Sequence, residues 1–403
     1  MSSISPQVTL ANWLQWPQLR SSFQHVSELV PTAVIDRGAD LPWFPDGWSA
    51  NGGPGPALRA ERVLVPTGAA MERVALDELL DETQTDAFVV LHRGRALHEE
   101  YQHGMGQKTA HLAMSVSKSV TASAVGAVID AGLLPIDAEV AELVGEFRGT
   151  GMEGATVRDV LDMRTGTREE ITTLELQRAY YANVQWAPAS ERVADENSRA
   201  HFWRMRQARP HGGDFEYRST LTCVLAMLAE HATGLSFPEV MSTYLWSRIG
   251  AEHAAAITLD RDGHALADIG LCCTVRDLAR LGEVLRRDGT GPFGGRVLSQ
   301  AWVADTLTGS PGQLAAFRER GMTYLPMPTA YYRNQWWVAR GRTPGQRDGI
   351  YFALGIHGQL LMIHEAAEVV IAKFSSWPQT WDDAMAQRTI RGCIDLAERI
   401  AQN

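Results

Sequence analysis

Three observations predict an α/β protein of the α+β kind, with one antiparallel sheet built from both chain ends and a helical domain inserted between them. Strand-like runs appear near residue 86 and return after about residue 334, and the pattern between them is helical. The chain of 403 residues is long for a single small core, so one large domain or two intimately joined ones is expected. The expected division is an α/β domain of residues 1–108 and 285–403, and a helical domain of residues 109–284. Sites at such a seam are common.

The first eighty or so residues read as irregular with short helices, and "NGGPGP" at Asn51–Pro56 is a loop with several breakers. "DAFVVLHRGRALHEEYQHG" from Asp86 reads as a hairpin, two β-rich runs joined at Arg93-Gly94. From Leu112 the pattern turns helical. Ser115–Ile129 is a helix of small residues ending near Gly132, with Pro135 beyond. "TVRDVLDM" is capped by Thr156 and closed by Gly166, and the aromatic, weakly periodic span from Thr167 to Gly213 reads as a lid-like insertion. "LTCVLAMLAEHATG" and "TVRDLARLGEVLRRDG" are clearer helices, each ending in glycine. "NQWWVAR", "YFALGIHGQLLMI" and "EVVIAKFSS" then read as strands. A closing helix from about Asp382 sets Met385, Ile390, Cys393, Ala397 and Ile400 on one face.

Apolar residues make up 45% and charged residues 21%, ordinary for a soluble globular protein. A net charge of −10 argues against nucleic acid or an anionic membrane as partner. The four cysteines, Cys223, Cys272, Cys273 and Cys393, have neither zinc spacing nor the pattern of a disulfide framework. The start lacks a basic stretch followed by an apolar core, and no run of eighteen apolar residues occurs. The expectation is a cytoplasmic protein that spans no membrane, with a homodimer left open.

Of 37 basic residues only Lys108, Lys118 and Lys373 are lysines. Lys118 lies in "HLAMSVSKSVTASAVGAVIDAGLL", among small and apolar residues. Ser115 is three positions earlier, on the same helix face and at the helix start, where free N–H groups favour developing negative charge. Burial lowers a lysine pKa, and a neutral amine can take a proton from a serine hydroxyl; an arginine cannot. Ser-x-x-Lys alone is a common string, and a surface lysine near a serine cap is its bland reading. Ser117 and Ser119 have no lysine at that spacing. No G-x-S-x-G, P-loop or H-E-x-x-H occurs, and "DRDGHALAD" from Asp260 reads as a turn rather than a calcium loop.

The Ser115–Lys118 helix, followed by "FEYRS" about a hundred residues on, resembles the penicillin-recognising serine hydrolases: class C β-lactamases, DD-peptidases and related esterases. "MSVSKS", "TYLWSRI", "CTVRDLARLG", "QWW", "GIHGQ" and "KFSSWP", in this order, resemble the nylon-oligomer hydrolases within that superfamily. The resemblance implies a β-lactamase-like fold, Ser115 as nucleophile, and Tyr217 sharing proton transfer with Lys118. It implies an oxyanion hole from the N–H groups of Ser115 and Ile356, and no metal or cofactor. In "ALGIHG" the charged residue that often opens this element is absent at Ala353, which argues against recognition of a β-lactam carboxylate. Trp186 and Trp337 match aromatic positions over the acyl pocket, and Gly355 would let substrate approach the strand. A tyrosine and an aspartate that assist amide cleavage in those enzymes fall near Glu169 and Tyr181, where neither type is matched; Tyr181 is kept as a substrate contact. His357 is read as structural, with a relay as its alternative. The expected function is hydrolysis of small esters or linear amides through an acyl-enzyme. A β-lactamase or DD-peptidase and a non-catalytic binding protein are the rivals. Which of Lys118 and Tyr217 is the base stays open.

Overall fold

The computed structural model describes residues 4, 7–168, 174–192, 196–321, 325 and 327–402. Its main sheet has seven strands in the order Tyr331–Arg333, Trp336–Arg340, Ile350–Gly355, Gln359–His364, Val369–Ser375, Thr85–His92, Arg95–Tyr101. Every neighbouring pair is antiparallel. The two chain ends meet where Val370 faces Leu91 and Ala372 faces Val89. Thr85–Leu91 is buried along its whole length, which explains a continuous rather than alternating apolar run. The predicted hairpin forms, with Arg93 and Gly94 both at positive φ (51° and 76°), as a two-residue turn with primed geometry requires.

Alternating side chains of the strand Gln359–His364 face two helical layers. A Cβ on Gly282, in the helix Val275–Arg286, would touch Leu361, so that helix packs closely on one face. Leu360 points the other way, towards Ala386 and Ile390 of the closing helix Asp383–Gln402. The division expected after residue 284 falls inside the helix Val275–Arg286. That helix is capped by Thr274, whose hydroxyl accepts from the Asp277 N–H, and is tied to the hairpin by Arg276. Arg276 is buried and donates two 2.8 Å bonds to Glu99. Such forked, buried pairing is the use to which arginine is suited and lysine is not.

Two readings of the chain change. The N-terminal part is not only irregular and helical: Arg62–Thr67 and Ala70–Ala75 pair as a hairpin, and Thr32–Ile35 joins a second sheet. That sheet runs Thr32–Ile35, Ala255–Thr258, Leu271–Cys273, His111–Leu112. "YFALGIHGQLLMI" is two strands rather than one, broken at Ile356–Gly358 where His357 takes a φ of 61°. The span 167–213 holds the helices Leu174–Asn183 and Ala200–Arg204 and is closed at its stem by pairing of Thr167–Arg168 with Arg206–Gln207. Among the described residues no single helix is long and apolar enough to cross a membrane, and the four cysteines are buried and unbridged.

Candidate active site

The short strand His111–Leu112 passes into the helix Val116–Asp130 within three residues. The turn puts Met114 at a φ of 47°, a region that costs a bulky side chain of the order of 1–3 kcal/mol. Ser115 caps the helix, and thirteen of the helix's fifteen residues are buried. Small side chains suit a helix packed on every side. Gly126 is required where the ring of Trp302 would lie 2.4 Å from a Cβ.

Lys118 is 1% exposed, and its Nζ donates to Ser115 Oγ at 2.9 Å and to the carbonyl of Asp268 at 2.9 Å. The same Nζ sits 5.3 Å from the centre of the Tyr217 ring. Two more bonds hold the helix to the segment that carries Asp268: Thr121 Oγ1 donates to the Ala267 carbonyl (2.8 Å), and the Leu271 N–H donates to Ser117 Oγ (3.1 Å). Tyr217 precedes the helix Thr220–Thr233 and stacks on Trp337, ring centres 5.1 Å apart.

Ser115, Tyr217, Trp337, Leu354, Ile356 and Trp381 line one cleft. Ser115, Lys118, Tyr217, Ile356 and Trp337, predicted from distant parts of the sequence, therefore come together. Among the described residues, neither the Ser115 nor the Ile356 N–H is spent on a loop, turn or side-chain acceptor. An alkoxide formed at Ser115 and an oxyanion held by two such amides are the chemistry this arrangement can perform.

Three expected substrate contacts lie elsewhere. Gly355 is not a space for substrate: a Cβ there would stand 2.9 Å from the Ala113 carbonyl and 2.9 Å from Gln359 Cβ. The glycine instead lets the strand close on the backbone two residues before Ser115, which brings the two amides to one cleft. Trp186 is 2% exposed in a second core with Trp13, Phe23 and Met114, and Trp13 Nε1 donates to its carbonyl at 2.7 Å. Trp13 of the N-terminal segment packs edge-on against its ring, centres 5.0 Å apart. Tyr181 stacks on Trp186 against the same core. Glu169 lies outside the described residues.

His357 is buried, with Nδ1 2.8 Å from the Trp377 carbonyl, and burial lowers its pKa. Its N–H donates to the Thr380 carbonyl at 2.9 Å, pinning the loop that carries Trp381. The structural reading of this histidine fits, and Trp381, Leu354 and Asp268 are site residues that the sequence reading missed. Trp381 follows "KFSSWP" closely enough to have been a candidate. Asp268 was hidden in a segment taken for a turn. Among the described residues no group of three or more histidine, cysteine or acidic side chains is placed to hold a metal.

The β-lactamase family model matches residues 75–392. The chain belongs to the β-lactamase family. It is 35% identical over 373 residues, 92% of its own length and 88% of the relative's, to a 6-aminohexanoate-dimer hydrolase from Paenarthrobacter ureafaciens. A solved structure named after 6-aminohexanoate-dimer hydrolase, from Bacillus anthracis, superposes with a TM-score of 0.85 at 25% identity, covering 100% of this chain and 99% of that one. EstCE1, a hydrolase with promiscuous acyltransferase activity, shares the fold at a TM-score of 0.60 and 15% identity, over 78% of this chain and 95% of that one. The β-lactamase-like fold expected from the serine–lysine helix is thus the fold of this family, whose relatives include hydrolases of amides and esters.

Proposed function

We propose that this family member is a serine hydrolase of small carboxylic esters or linear amides that works through an acyl-enzyme on Ser115. The observation that carries the reading is the 2.9 Å contact between Lys118 Nζ and Ser115 Oγ at the start of a buried helix, opening onto the cleft. Ser115 Oγ, its proton passing to the Lys118–Tyr217 pair, attacks the carbonyl carbon, and the N–H groups of Ser115 and Ile356 receive the oxyanion. The pair returns the proton to the leaving alcohol or amine, and water then releases the acid and frees Ser115.

The cleft supports a neutral substrate. None of its six lining residues carries a charge, and Ala353, at the start of the family's third element, is buried and apolar. A β-lactam or peptidoglycan carboxylate would find no cation in that lining. The name of the relative from Paenarthrobacter ureafaciens makes a linear amide the first candidate, and EstCE1 makes esters the second.

The test is a screen of p-nitrophenyl esters, anilides, linear amide oligomers and a chromogenic cephalosporin against wild type and Ser115→Ala. Ester or amide turnover that disappears in Ser115→Ala is the expected result. Equal activity of the two proteins would sink the site. Preferential turnover of the cephalosporin would replace the reading with a β-lactamase, and failure of Ser115 to react with a fluorophosphonate would leave a binding protein.

A further inference from the structure

The turn that joins Tyr331–Arg333 to Trp336–Arg340 consists of Asn334 and Gln335, both at positive φ (49° and 61°). A two-residue turn of this kind favours glycine at its second position, so the glutamine is held there against its backbone preference. Gln335 is 0% exposed and bonds to three helices. Its Nε2 donates to the Val160 and Leu161 carbonyls (3.1 and 3.3 Å), and its N–H donates to Leu161 as well (3.0 Å). Its Oε1 accepts from Thr222 Oγ1 at 2.8 Å, and its carbonyl accepts from Ser119 Oγ at 2.6 Å. Resting on the hydrolase reading above, we propose that Gln335 is a positioning residue that sets Tyr217 against the Ser115–Lys118 helix, and so governs proton transfer to the leaving group.

What Gln335 touches favours this role over simple anchoring. Ser119 follows Lys118 directly and lies one turn from Ser115 on the same helix. Thr222 stands in the first turn of the helix that Tyr217 leads into. Trp337, on the strand that leaves the turn, stacks on Tyr217 with ring centres 5.1 Å apart. One buried amide and its backbone therefore tie together the elements that carry the nucleophile, its lysine, the tyrosine and the aromatic wall behind it. A shift among them would move Lys118 Nζ from its place 5.3 Å from the Tyr217 ring centre. Asn334 shares the turn but is held elsewhere. Its Nδ2 donates to Asp305 Oδ2 and Thr306 Oγ1, both at 2.9 Å, and its Oδ1 accepts from Arg158 at 2.6 Å. None of those partners lies on the helix of Ser115 or the helix after Tyr217. Asn334 fastens the turn, and Gln335 relates it to the site.

The experiment compares kcat/KM for phenyl acetate and p-nitrophenyl acetate in wild type, Gln335→Met and Asn334→Gly. Both esters form the same acetyl-enzyme, but phenoxide is the poorer leaving group and gains more from a proton. Gln335→Met keeps the side-chain length and removes its hydrogen bonds. It should lower kcat/KM for phenyl acetate about ten- to a hundredfold, the cost of a small misplacement, and for p-nitrophenyl acetate about threefold less than that. Asn334→Gly loosens the same turn and should leave the ratio of the two rates within about twofold of wild type. A general loss of stability would lower both rates alike, so the ratio separates positioning from folding. A folded Gln335→Met with an unchanged ratio, or an equal change in Asn334→Gly, would overturn the proposal. If Gln335→Met does not fold, Thr222→Val removes the partner of Oε1 and is read in the same way. Wild type that cleaves neither ester and does not label at Ser115 with a fluorophosphonate would instead overturn the hydrolase reading, and this inference with it.

Discussion

Two lysines are buried in this protein, and their surroundings are nearly copies of each other. Lys118 and Lys373 are each 1% exposed. Lys118 donates to the Ser115 hydroxyl and the Asp268 carbonyl, and lies 5.3 Å from the Tyr217 ring centre. Lys373 donates to the Ser375 hydroxyl and the Thr83 carbonyl, and lies 5.9 Å from the Trp377 ring centre. The difference is what surrounds the serine. Ser375 is 0% exposed within a strand, its N–H given to Gln359 Oε1 at 3.0 Å. Ser115 stands at a helix start, on a cleft, opposite the Ile356 amide. A lysine beside a serine is therefore not a site in itself. On the proposed mechanism, access, a neighbouring pair of amides and the nearby Tyr217 are what set the Ser115 contact apart.

The comparison breaks most visibly at the serines. Ser115→Ala should lower kcat/KM by at least about a thousandfold, whereas Ser375→Ala should leave it within about threefold. Equal losses would mean that the two lysine–serine pairs are not functionally distinct. Lys118→Met should cost about 10²- to 10⁴-fold, the usual range for a proton-transfer group, while Lys373→Met should leave the acylation rate within a few-fold. Stopped-flow acylation with a p-nitrophenyl ester reads both.

The third test concerns how the cleft is closed. Gly355→Ala would push a Cβ against the Ala113 carbonyl and Gln359, at an expected cost of about 1–3 kcal/mol in urea unfolding. It should also lower kcat, because Ser115 and Ile356 would be held further apart. Full activity with full stability would show that the close approach at Ala113 does not set the site.

The smallest effect is on stability rather than rate. Burial pushes the Lys373 amine from 10.5 down to about 7. Between pH 7 and 9 the unfolded chain holds a proton that the folded state has released, so Lys373 should contribute a rise in stability of about 2 kcal/mol over that window. Above pH 9 the trend reverses, because burial lifts the Cys272 and Cys393 thiols to about 12 and the unfolded chain loses their protons first. Lys373→Met should remove the rise between pH 7 and 9. A rise that persists in the variant would assign it to another group.

Much of the architecture was legible because local chemistry and tertiary packing agree. Arg93-Gly94 had the residues a tight turn takes, the run from Ala87 to Leu91 was apolar without a break, and the Ser115 helix announced itself by small residues and a misplaced lysine. Legibility failed where the decisive neighbour is distant in sequence. Nothing near Gly355 reveals that Ala113, some 240 residues earlier, fills the space beside it. Trp186 looked like a cleft aromatic because the sequence does not show Trp13 folding over it. Asp268 was passed over because "DRDGHALAD" has the composition of a turn, and its burial comes with contacts to Lys118 and Cys223, distant in sequence.

Three hydrogen bonds, from Lys118, from Thr121 and to Ser117, clamp the nucleophile helix to the segment Ala267–Leu271. The walls of the cleft come from other parts of the chain: Trp337, Leu354 and the loop that ends at Trp381. On the proposed mechanism the Ser115–Lys118 pair sits on the clamped stretch, and most of the walls that would contact substrate sit on others. Libraries aimed at new substrates should therefore vary Trp337, Leu354 and Trp381 and leave residues 115–121 and 267–271, Tyr217 and Ile356 alone.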